Sequence, residues 1–320
     1  MARPGERAME DLRHIFQNVE HSTPFHDPDL IRMVEDYFGI NSWSVLALED
    51  GKPVGIMYVH TLKMKFPLVQ HVSPFQRSHM TYGGPVAVDN RRDIIDALLR
   101  KAEKRNSSFG FYIKSIPGAD PEPYIARKYN AVHAPTLMID LSQNYEELWL
   151  GLKKRMRENI NKARKNEIEV YRDKGDDIPV FHEIFRELAE RVGLNCNEPD
   201  YYDRLIRATT KADKGELFMA KYRGKIITSI LALIHKDVIY AWIGATLGHY
   251  NDTEAQSLVC WDMIRYGKSI GCRYFDFMGL DVGPVAFFKR GFGGQEVPVY
   301  HLSKKSLSFK IINKLYKFVS

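Results

Sequence analysis

The thirteen residues KKRMRENINKARK, Lys153 to Lys165, carry seven positive charges against one, Glu158. A solvated helix face ordinarily mixes signs, with Glu placed four residues before Lys to gain local pairs. This one hardly does so, and its self-repulsion calls for an external anion. At 100° per residue, Leu148, Leu152, Met156, Ile160 and Ala163 form an apolar stripe along a helix expected over 147–166. Lys153, Lys154, Arg155, Arg157, Lys162, Arg164 and Lys165 then cover the exposed arc. Such side chains meet phosphates as points (Lys) or bidentately (Arg), whereas nothing in the run reads bases. Aromatic residues are not interleaved with the charges, which argues against a sequence-specific single-strand binder.

Three other groups are candidates for chemistry. Asp276 sits in an apolar strand, CRYFDFMG, where an unpaired carboxylate is expensive to bury; it either takes a proton in a reaction or holds a loop by hydrogen bonds. GPVAFFKRGFGG carries Gly283, Gly291, Gly293 and Gly294, which allow a ligand to approach backbone closely. His21 and His26 stand near Asp27 and Asp29, yet Asp27 is explained as a helix cap and a third ligand is not in sight, so no metal is expected.

The elements that must position these groups repeat. WSVLALEDGKPVGIMYV is strand, turn and strand around Asp50-Gly51; MTYGGPVAV is a strand; DIIDALLRKAEKR is a helix with Ile94, Ile95, Leu98, Leu99 and Ala102 on one face; FGFYIKSI is a strand. ELFMAKYRGKIITSILAL, VIYAWIGAT, NDTEAQSLVCWDMIRYGKSIG and CRYFDFMG return the same order, with Thr253 and Gln256 at capping-box spacing and Gly271 placed to stop the helix. Two copies of one α+β domain follow, with a boundary near residue 146. The first helix of HSTPFHDPDLIRMVEDYFG starts at Pro28, and VFHEIFRELAERVG forms another whose Arg191 is left to point away from the core.

Composition limits the function class. The chain has 320 residues, 44% of them apolar, and a net charge of +6, which favours anionic partners without choosing among them. Cys196, Cys260 and Cys272 are too few and too far apart for a disulfide framework or a cysteine zinc site, so a reducing cytoplasm is expected. No stretch approaches eighteen apolar residues and the start is charged, so neither a membrane span nor a signal peptide is expected. The tail SLSFKIINKLYKFVS places Lys310, Lys314 and Lys317 on one helix face and Leu307, Ile311, Leu315 and Phe318 on another. It suits either packing or peripheral contact with the inner face of an anionic membrane.

Arg157, Ile160, Lys162 and Ala163, in the order R-x-x-I-x-K-A, resemble the Fem family of aminoacyl transferases within the wider GNAT superfamily. TYGGPVAV, ELAERVGLNCNEPDYYDRL and the run from YAWIGAT to YFDFMGLDVGPVAFFKRGFGG agree in order, and the last is the most specific. The resemblance implies two tandem GNAT-like domains with mixed sheets flanked by helices, 1–146 (completed by 303–320) and 147–302. It implies transfer of an aminoacyl group from aminoacyl-tRNA to an amine of a peptidoglycan-like precursor, without cofactor, metal or DNA. It gives the basic helix to tRNA phosphates. Lys289 stabilises the developing oxyanion beside Phe288, with Asp276 as a third catalytic candidate. Arg191, Tyr202, Tyr240, Trp242, Gly83 and Gly84 are implied as substrate-binding residues.

Two departures matter. HSTPFHDPDLIRMVEDYF lacks the lysine that family members acting on nucleotide-linked murein precursors carry there, and the long helical insertion of some members is missing. The alternatives are an acyl-CoA-dependent N-acyltransferase of polysaccharide or lipid biosynthesis, and a non-catalytic RNA or membrane-surface binding protein. Ordinary GNAT enzymes cradle a pyrophosphate with Q/R-x-x-G-x-G/A at a helix start. RGFGGQ from Arg290 lacks the final Gly or Ala, and ATLGHYND after VIYAWIGAT has no such pattern.

Overall fold

The two repeats of hairpin, helix and strand build two sheets, each the centre of its own compact unit. The computed structural model describes residues 6–39, 41–62, 69–71, 82–105, 110–193, 196–281 and 283–305. The units are residues 1–76, 81–134 and 298–320, and residues 77–80 and 135–297. The tail from 306 onward, expected as an amphipathic helix, lies outside the described residues.

In the first unit, helices α1 (Glu6–Asn18) and α2 (Pro28–Phe38) precede strands β1 (Asn41–Glu49), β2 (Lys52–Leu62), β3 (Val69–His71) and β4 (Val86–Ala87). Then come α3 (Arg92–Arg105), β5 (Gly110–Lys114), α4 (Glu122–Ile125) and β6 (Asn130–His133). The Asp27 carboxylate accepts from Asp29 N at 3.0 Å and Pro28 opens α2, as their residue types dictate. The strand order is β1-β2-β3-β5-β14-β6, with β4 beside β2 and β14 (Tyr300–Lys305) inserted from the far end of the chain. Ile94, Leu98, Leu99 and Ala102 of α3 pack with Met57, Val59, Phe111 and Ile113 to form its core. The strand expected in MTYGGPVAV is limited to β4 among the described residues, and β3 is the parallel partner of β5.

In the second unit the order along the chain is β7 (Thr136–Asp140), α5 (Tyr145–Gly151), α6 (Lys154–Lys165), β8 (Glu169–Asp173), α7 (Ile178–Val192) and α8 (Pro199–Thr210). It continues with β9 (Gly215–Tyr222), β10 (Lys225–His235), β11 (Val238–Thr246), α9 (Ala255–Ser269), β12 (Tyr274–Asp276), α10 (Gly283–Lys289) and β13 (Gln295–Val297). The sheet order is β13-β7-β12-β11-β10-β9-β8. Because β7 pairs with both β12 and β13, the division falls between Ala134 and Pro135 rather than near 146, and the second unit ends at Val297 rather than 302.

The expected single helix over 147–166 is two helices. Leu152 and Lys153 are extended, with ψ of 139° and 149°, and Lys153 N donates to Gly291 O at 2.9 Å. The apolar stripe is nonetheless buried as its spacing requires, from Leu148 and Leu152 through Met156, Ile160 and Ala163. Thr253 and Gln256 do not form the expected capping box. Glu254, left-handed at φ 59°, is the N-cap of α9, and Thr253 Oγ1 accepts from Ala255 N at 3.3 Å.

Candidate active site

Strands β11 and β12 run parallel and pair only from Val238 with Tyr274 to Tyr240 with Asp276. Beyond those residues β11 continues to Thr246 while the chain after β12 turns away through Met278 (φ 61°) and Gly279 (φ 99°). The carboxyl ends of parallel strands are where ligands of α/β sheets bind, because diverging strands leave a crevice there. Asp276, at the end of β12, and Lys289, bonded to the turn that follows it, lie at this parting point.

Asp276 is fully buried and accepts hydrogen bonds from the Thr136 hydroxyl and from Met278 N, the latter at 2.7 Å. Thr136 Oγ1 in turn accepts from Gly279 N at 2.8 Å. The carboxylate thus fixes the Met278-Gly279 turn from β7, the loop-holding role open to it. The Lys289 ammonium donates to Gly279 O at 2.7 Å, so the turn held by Asp276 also orients Lys289. Hydrogen bonds to charged groups are the stronger ones, which makes this a rigid mount for a cation. Beside it, burial pushes the Cys260 thiol up to about 12 against the opposing charge of Lys289. A thiol so raised is no nucleophile. Tyr240 is raised well above the ordinary phenol value, by burial first and then by the Asp276 carboxylate.

Phe288 is half-buried, its ring 5.4 Å from Phe292, which packs on Phe277 at 5.0 Å. It anchors α10 to the core while leaving Lys289 at the crevice. The glycines nearby serve packing rather than ligand approach. A Cβ on Gly293 would come within 2.5 Å of Gly151 O, and one on Gly294 within 2.4 Å of Met138 O. A Cβ on Gly291 would meet Met156 Cε at 2.8 Å; only Gly283 of the four has open space around it.

The basic residues divide into two groups. Lys153, Lys154, Arg155, Lys162, Arg164 and Lys165 are exposed, and the nearest opposing charge on the helix is Glu158, 3.9 Å from Lys154. Arg157 turns inward. Its Nη1 donates to Leu150 O at 3.1 Å and to Leu152 O, capping the end of α5. That contact assigns Arg157 to the break between α5 and α6 and takes it out of the anion-facing set. The aromatic rings missing from the helix itself are supplied by its neighbours. Arg155 lies over Phe287 at 5.5 Å and Arg164 over Trp149 at 5.2 Å. Stacked guanidinium groups keep their N–H edges directed outward.

The remaining candidates are placed apart from this centre. Tyr202 is buried in an aromatic cluster with Phe181, Phe185 and Tyr201, and its hydroxyl accepts from Asn197 N at 3.3 Å. It is a core residue. Trp242 is buried on β11 two residues past Tyr240. Arg191, exposed at the end of α7, is 3.9 Å from Glu187, whose carboxylate accepts from Gly248 N at 2.6 Å. Gly83 and Gly84 belong to the first unit, where Gly83 N donates to Lys114 O at 2.8 Å and Gly84 takes φ 101°. His26 there accepts from Thr23 N at 3.2 Å and approaches Gly84 O at 3.3 Å. Thr136, Gly279 and Glu187 had no signal in the sequence. Their roles depend on partners far along the chain.

Residues 152–290 match the model of the acetyltransferase (GNAT) domain. No curated protein matches the chain in sequence. Among solved structures, FemX superimposes with a TM-score of 0.72 at 14% identity, covering 94% of this chain and 96% of that one. The C-terminal domain of a putative lysylphosphatidylglycerol synthetase from Agrobacterium fabrum gives 0.63 at 10% identity, over 95% and 93%. A tandem GNAT protein from the clavulanic acid biosynthesis pathway gives 0.53 at 12% identity, over 95% and 97%. Residues 152–290 of the second unit thus match a GNAT acetyltransferase domain, and the chain as a whole shares its fold with FemX and the tandem GNAT protein.

Proposed function

We propose that the protein transfers an aminoacyl group from aminoacyl-tRNA to an acceptor amine, forming an amide. The observation that carries this reading is the continuity between the cationic face of α6 and the crevice. Arg155 lies over Phe287 of α10, the helix that ends in Lys289, so a phosphate chain lying on α6 reaches α10 and brings its terminal ester round that helix to the ammonium. In the reaction the amine nitrogen attacks the ester carbonyl carbon, and Lys289 stabilises the negative charge that develops on the carbonyl oxygen. The C–O bond to the ribose then breaks, and the proton lost by the amine goes to the departing oxygen. Asp276 positions Lys289 through Gly279 and takes no proton. Arg191, Tyr240 and Trp242 are left to the acceptor and its surroundings.

The turn between β11 and α9 supports an RNA donor over acyl-CoA. Gly248 N is taken by the Glu187 carboxylate, and the Glu254 carboxylate, which accepts from Ser257 Oγ at 3.1 Å, stands at the start of α9. A pyrophosphate there would meet two negative charges where a cradle needs open N–H donors. Changing Lys162, Arg164 and Lys165 together to Gln should weaken aminoacyl-tRNA binding and lower the slope of log K against log salt by about 2. Fluorescence titration from low to moderate salt reads both. An unaltered slope would separate α6 from the donor and leave acyl-CoA as the reading to pursue.

A further inference from the structure

The two most exposed large apolar side chains among the described residues, Leu150 and Phe287, both at 64% exposure, flank the first turn of α6. Their segments touch. Lys153 N donates to Gly291 O at 2.9 Å, and Gly151 O lies so close to Gly293 that a Cβ there would stand 2.5 Å away. The end of α5 and the turn after α10 therefore form one surface, with Leu150 on the first segment and Phe287 just ahead of the second. Lys153, Lys154 and Arg155 are exposed, and Arg155 lies over the Phe287 ring at 5.5 Å.

We infer that this surface docks the protein on an anionic lipid bilayer, Leu150 and Phe287 entering the boundary between headgroups and acyl chains while Lys153, Lys154 and Arg155 meet lipid phosphates. Charge complementarity selects the occupant, because apolar side chains ringed by Lys and Arg match the interface of an anionic leaflet. An RNA strand would use the cations and Phe287 but has nothing to offer the aliphatic Leu150. Phe287 and Lys289 share α10, so docking of Phe287 would hold the helix that carries Lys289 at the interface. The docking uses the first turn of α6 and leaves Lys162, Arg164 and Lys165 of its last turn to the donor.

The test is flotation of the full chain with vesicles of phosphatidylcholine alone and of phosphatidylcholine mixed with phosphatidylglycerol, for wild type and for Leu150→Ser with Phe287→Ser. Both substitutions are at exposed positions, and thermal unfolding checks that the fold is kept. Wild type is expected to float with the anionic vesicles and not with the neutral ones, and the double variant to lose about tenfold or more in partitioning. Three results would overturn the inference: no flotation of wild type, equal flotation of the variant, or substitutions that change only self-association or binding of a short single-stranded RNA.

Discussion

Lys289→Ala is expected to lower turnover about a hundredfold or more while leaving donor affinity nearly unchanged. The side chain is half-buried, fixed to Gly279 O at 2.7 Å, and stands where β11 and β12 part. Removing one preorganised donor to an oxyanion costs about 3 kcal/mol in the transition state. Because the charge on the oxygen appears only as the tetrahedral species forms, the loss falls on kcat rather than KM. Lys289→Arg should not restore the rate, since the larger planar fork cannot occupy the half-buried position of an ammonium that donates to Gly279 O. Steady-state kinetics on the three proteins checks this, and wild-type turnover in Lys289→Ala would remove the residue from the chemistry.

Asp276→Ala should have the largest effect on stability, lowering it by about 3 kcal/mol or more. It strips the Thr136 hydroxyl and Met278 N of a fully buried acceptor, and unmade hydrogen bonds to a charged partner are costly inside a protein. The same change frees the Met278-Gly279 turn, so Lys289 loses its mount and turnover falls as well. Asp276→Asn separates the two roles. Asn keeps an acceptor oxygen, and a positioning role predicts turnover within about tenfold of wild type together with most of the stability. A proton-accepting role would make Asn as inactive as Ala. Urea unfolding midpoints and kcat for both variants give the answer.

Much of the fold was legible because local periodicity and burial agree. The stripe from Leu148 to Ala163 is buried, Asp27 caps α2, Gly193 ends α7 in a left-handed turn, and the repeated order of elements produced two sheets. The break at Leu152 and Lys153 was not legible, since the apolar spacing runs straight through it and its cause, Gly291 O, lies far along the chain. For the same reason the assignment of Arg157 to phosphates failed: its carbonyl partners exist only once α5 ends. The site was half readable. Asp276 and Lys289 stood out by type and setting, whereas the Thr136 link between them joins strands that sequence alone does not pair. Tyr202 was misread because a buried aromatic cluster and a binding aromatic have the same sequence appearance. The rings under Arg155 and Arg164 come from α10 and α5, which no scan of α6 would reveal.

The central claim, that the donor is an aminoacyl-tRNA, is tested most directly by donor competition. Wild type and Lys289→Ala would each be titrated with labelled aminoacyl-tRNA, with acetyl-CoA and with long-chain acyl-CoA, recording saturable binding at two salt concentrations. Saturable, salt-sensitive binding of the charged tRNA by both proteins, with none of either CoA ester, is the expected result. Saturable binding of acyl-CoA without preference for charged tRNA would contradict it and place the carboxylates of Glu187 and Glu254 outside donor selection.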